Sequence, residues 1–77
     1  MKSYQGHRSW NSWNVALWIG NDEGLYNFAL SCLRRGKSVL KATNLFLEDM
    51  QGQTTPDGAN YNRACVREAL ASLKEEL

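Results

Sequence analysis

Seventy-seven residues, 43% apolar and 22% charged, describe one small globular domain rather than a disordered chain. Nine Lys/Arg against eight Asp/Glu leave a net charge of +1, which argues against an acidic nucleic-acid mimic and against a strongly basic nonspecific binder. A chain this short buries only about 60% of the surface its unfolded form exposes, so three Trp, three Tyr and two Phe are expected to supply much of the core.

Residues 1–9 (MKSYQGHRS) are polar, lack a hydrophobic period and read as a flexible N-terminal arm, leaving 10–77 as a single helical domain. His7 and Arg8 lie in that arm. Asn11 or Ser12 suits the cap of a first helix, because a short side-chain oxygen satisfies the orphan amides of the first turn. Residues 12–19 then carry apolar groups on every side at helical spacing. A strand is the alternative for so short a run, but alternation and a partner strand are both missing. Asn14 projects between Leu17 and Trp18, where a hydrogen-bonded structural amide is the expected role. The three tryptophans of this stretch, Trp10, Trp13 and Trp18, are expected inside the core.

Gly20 reads as a tight joint before a second helix capped by Asn21, with Asp22 and Glu23 at the positive end of its dipole. Arg34, Arg35 and a C′ glycine at 36 close it. Leu25, Tyr26, Phe28, Ala29, Leu30, Cys32 and Leu33 cover an arc wide enough to touch neighbours on two sides, which predicts a central helix.

A third helix spans 38–50, with Val39, Leu40, Thr43, Phe46, Leu47 and Met50 on its inner face. Leu45 falls on the opposite face with Lys41, Glu48 and Asp49, as a small interface would. Arg34, Arg35, Lys37 and Lys41 gather at the turn before it, the one dense charge patch.

Residues 51–61 form a loop in which Thr55-Pro56-Asp57-Gly58 fits a β-turn. Asn62 caps a fourth helix, with Tyr61 and Val66 placed for a hydrophobic staple. Val66, Ala69, Leu70, Leu73 and Leu77 make its inner stripe. Arg63, Arg67 and Lys74 line up beside that stripe. They read either as stems lying along the core edge or as a recognition row for nucleic acid. The fold class is therefore all-α, a single compact domain of about four short helices.

Chemistry is sparse. The lone His sits in the arm, Asp22 and Glu23 already cap a helix, and the glycines at 20, 24 and 36 fit no phosphate-cradling spacing. Cys32 and Cys65 lack metal-ligand spacing and read as two small buried hydrophobes in a cytoplasmic protein. No catalytic residue, metal or cofactor is expected, and no membrane span.

The run Trp10-x-x-Trp13-Asn14-Val15-Ala16-Leu17-Trp18-Ile19-x-Asn21-Asp22-Glu23-Gly24-Leu25-Tyr26 resembles a family of small bacteriophage and mobile-element proteins with a TWNVALWIxNDEGLY-type signature. Thr55-Pro56-Asp57-Gly58-x-x-Tyr61, followed by Val66-Arg67-x-Ala69-Leu70, is similar to a second block of its closer members. Ser12 stands where many relatives have Thr or another polar residue. No function is established for that family, so the resemblance implies a setting rather than a mechanism. In that setting the leading expectation is a non-enzymatic accessory protein, in the host cytoplasm, that inhibits a host defence complex (CRISPR or restriction) by stoichiometric binding. Arg34, Arg35, Lys37, Lys41, Leu45, Glu48 and Asp49 would make the contact. The alternatives are a DNA-binding protein using Arg63, Arg67 and Lys74, and a structural homodimer.

Overall fold

The computed structural model describes residues 9–50 and 52–77. Four helices follow one another: α1 (Trp10–Asn21), α2 (Glu23–Gly36), α3 (Val39–Met50) and α4 (Arg63–Glu76). The only extended pairing among the described residues is one isolated bridge between Thr54 and Asn60. The all-α expectation holds. Apart from Ser9, the arm expected over residues 1–9, with His7 and Arg8, lies outside the described residues.

Ser9, rather than Asn11 or Ser12, caps α1, its hydroxyl accepting from the Ser12 amide at 3.1 Å. Asn11 and Ser12 fall inside the first turn because tertiary contacts claim their side chains. Nor does α1 stop at Gly20. It runs on to Asn21, and Asp22 alone makes the joint. Its amide donates to the Trp18 carbonyl at 2.9 Å, closing α1, while its carboxylate accepts from the Leu25 amide at 2.9 Å, opening α2. A carboxylate is the stronger acceptor at a positive helix end, so the cap moves one residue past Asn21.

The far end of α2 moves in the same sense. The left-handed residue is Lys37 (φ 64°), and Gly36 remains helical and buried. A Cβ on Gly36 would lie 2.6 Å from the Ala42 nitrogen and 2.9 Å from the Lys41 carbonyl carbon, so glycine is required there for the close approach of α3. Ser38 then caps α3, its hydroxyl accepting from the Lys41 amide at 3.2 Å. Asn62 caps α4 as expected, accepting from the Cys65 amide at 2.9 Å.

The helices pack as a ring in which α1 touches α2 and α4, α3 touches the same two, and the α2–α4 diagonal is slight. α2 is therefore no more central than α4. Phe46, fully buried, anchors one side of the core with its ring centroid 5.1 Å from that of Phe28 and 5.8 Å from that of Tyr61. Val15, Ile19, Cys32, Val66 and Leu70 fill the rest.

The tryptophans do not. Trp10 is 40% exposed, Trp13 and Trp18 are half-buried, and none belongs to the buried core. α1 turns Ser12, Val15 and Ile19 inward, which leaves the indoles on its flanks and outer side. An indole N–H needs an acceptor when covered, and Trp18 finds its acceptor at the surface.

Candidate functional site

Two regions gather polar side chains. The first joins α1 to the loop before α4. Asp57 Oδ2 accepts from Asn14 Nδ2 and from Trp18 Nε1, each at 2.9 Å. Asn14 Oδ1 in turn accepts from the Thr55 hydroxyl at 2.6 Å, and Thr55 Oγ1 accepts from the Ala59 amide at 3.0 Å. One turn earlier, Asn11 exchanges two bonds with the Asn60 backbone, both 2.9 Å. Asn11 Nδ2 and Ser12 Oγ also approach Cys65 Sγ at 3.2 Å.

The loop can meet α1 because it folds on itself. Gly58 donates to the Thr55 carbonyl at 2.9 Å and holds φ at 97°, as a turn ending in glycine permits, and Thr55 donates to the Ala59 carbonyl at 2.8 Å. Both stretches that carry the family resemblance thus meet face to face. Asn14 has the structural role expected of it, since a buried amide must be paired. Asp57 is held below the usual carboxylate range by the Asn14 bond first and the Trp18 bond second. Both partners are neutral donors, so the arrangement fixes a loop; it sets up no proton transfer between its own members.

The second region is the turn between α2 and α3. Arg34, Arg35, Lys37 and Lys41 are all exposed. Arg35, Gly36, Lys41, Asn44 and Leu45 line a shallow depression there. Glu48 and Asp49 are exposed further along α3. Cys32 lies beneath this surface: burial pushes its thiol up, Arg35 opposes that, and Asp49 and Glu48 add to it.

Leu45 needs correction. It is half-buried and packs against the core, whereas Leu40, expected inside, is 57% exposed. The contact at Gly36 is the cause, because it draws the fully buried Ala42 inward and rolls the Leu40 side out. Leu40 is the apolar surface residue that helical periodicity missed; only the packing of α2 on α3 gives the signal.

Arg63, Arg67 and Lys74 are exposed along α4. Arg63 Nη1 donates to Asn44 Oδ1 of α3. Asn44 lines a second depression with Leu47, Glu48, Tyr61, Asn62 and Arg63, so it borders both basic groups. Sequence reasoning singled out neither Asn44 nor its contact, since nothing in local spacing relates residue 44 to residue 63.

No group of three or more His, Cys, Asp or Glu placed to hold a metal occurs among the described residues. None of the described helices is long and apolar enough to cross a membrane. A family described as a family of unknown function (DUF7249) matches the chain over residues 1–77. Neither a curated protein nor a solved structure matches.

Proposed function

We propose, for a chain that belongs to the DUF7249 family, an accessory protein of a bacteriophage or other mobile element that acts without catalysis, by stoichiometric binding to a host protein. The target class is a defence complex of the CRISPR or restriction type, met in the host cytoplasm. The phage setting rests on the resemblance of residues 10–26 and 55–70. The contact surface rests on one observation, the exposed Leu40 that stands between the exposed Lys37 and Lys41 in the chain, just after the exposed Arg34 and Arg35.

That combination is what a protein interface uses. A solvent-exposed leucine gains on desolvation, and arginines at its edge supply directional bonds to carboxylates. Lys37 and Lys41 add electrostatic steering toward an acidic partner surface. Leu45 contributes as a wall of the neighbouring depression rather than as a projecting anchor.

The test is phage plating on hosts that carry a CRISPR or restriction system, with and without the protein. Protection of the phage by the wild-type chain, lost in a Leu40→Asp variant and in an Arg34→Glu/Arg35→Glu variant that both fold, supports the reading. Protection that survives both variants refutes the surface. No protection against any defence system refutes the function.

A further inference from the structure

Of the nine Lys/Arg in the chain, Lys2 and Arg8 lie outside the described residues, which leaves seven. Four stand at the α2–α3 turn (Arg34, Arg35, Lys37, Lys41) and three along α4 (Arg63, Arg67, Lys74), all exposed. No ionisable residue occurs between Ser9 and Asn21, so α1 is electrically blank. Among the described residues the charge is therefore carried by α2, α3, α4 and the segments that flank them, which a count over the whole chain does not reveal.

Read along the chain, the two basic groups look like separate surfaces. In the folded molecule Asn44 connects them. It shares one depression with Arg35 and Lys41 and the next with Arg63. Arg63 then shares a third with Arg67, Glu68 and Ala71 on α4. The sequence of neighbours Arg35, Lys41, Asn44, Arg63, Arg67 crosses three helices without a break.

We infer that these residues form one continuous face and that its ligand is the sugar–phosphate backbone of a nucleic acid. Two features select that ligand. The Asn44 contact uses a single nitrogen of Arg63 and holds the guanidinium in place, leaving its other donors for phosphate oxygens. Arg63 and Lys74 are separated by about 16 Å along α4, matching the rise of roughly five phosphates on one strand.

Contacts to phosphate make binding salt-sensitive and blind to sequence, and Glu48 and Glu68, which lie in the same depressions, weaken it. The inference goes beyond the protein-partner reading and does not require it: the two share Arg34 and Arg35 and differ in the α4 row, which only the nucleic-acid reading uses.

The experiment is fluorescence anisotropy of the full chain with a short labelled DNA duplex and with the corresponding single strand. For six phosphate contacts, affinity should fall about a thousandfold between roughly 50 and 200 mM salt. Arg34→Gln/Arg35→Gln and Arg63→Gln/Arg67→Gln, each checked for helicity, should both weaken binding and each flatten the salt slope by about two contacts. Absence of binding at low salt overturns the ligand, and so does affinity that ignores salt. A slope changed by only one of the two variants overturns the single face. Loss of DNA binding in Arg63→Gln/Arg67→Gln with phage protection retained would separate this inference from the proposed function.

Discussion

Replacing Asn14 by Ala tests what holds the loop to α1. Asn14 is 1% exposed and Thr55 2%, so the bond between them is shielded from water on both sides. Truncation removes the acceptor of the Thr55 hydroxyl, and a buried donor left unpaired costs about 1–3 kcal/mol. The small cavity left by the amide adds to this, giving a total of about 2–4 kcal/mol. For a domain of this size that corresponds to a fall in melting temperature of about 10–30 °C. Thr55→Val removes the same bond from the other side and also strands the Ala59 amide. Each variant and the double variant would be unfolded in urea and by heat, followed by far-UV circular dichroism. Because the two residues share one bond, the double variant should lose less than the sum of the singles. Additive losses, or an Asn14→Ala variant within about 0.5 kcal/mol of wild type, would show that the loop is held by something else.

Gly36→Ala should destabilise the fold by about 1–3 kcal/mol or more, because the added methyl meets α3 backbone, which cannot rotate away; wild-type stability in denaturant titration would contradict the close approach. Lys37→Gly should act oppositely, raising stability by about 0.5–1 kcal/mol through relief of a left-handed β-carbon, and an unchanged or lowered urea midpoint counts against it. Asp57 has a carboxyl held low in the folded state, so its contribution is fully present above the ordinary unfolded value of about 3.9 and disappears as pH falls through the folded value. Acid unfolding followed by Trp emission should therefore show a component below about pH 4 that Asp57→Asn lacks; identical acid profiles would remove Asp57 from the bonds that hold the loop to α1.

The candidate surfaces were only half legible in the chain. Arg34, Arg35, Lys37 and Lys41 stand close together in sequence, so their clustering at a turn needs no tertiary knowledge. Leu40 and Leu45 exchanged roles, because helical spacing places side chains around an axis but does not say which way the axis is rolled. Asn44 was invisible for the same reason: its importance lies in reaching Arg63, nineteen positions away. The joint between α1 and the loop before α4 was visible as two stretches, but not as one object.

By itself the sequence determined what is local. Breakers, short polar caps and the absence of alternation made four helices, with Asn62 opening α4 and a turn ending at Gly58, since these depend on hydrogen bonds within a few residues. Tertiary structure decided everything that needs a neighbour. α1 is apolar on all sides, so nothing in its own pattern aims it, and contact with α2 and α4 chose Val15 and Ile19 for the core and left the indoles outside. Close approach at Gly36 rolled α3, and the meeting of α3 with α4 set Asn44 against Arg63, nineteen positions away in the chain.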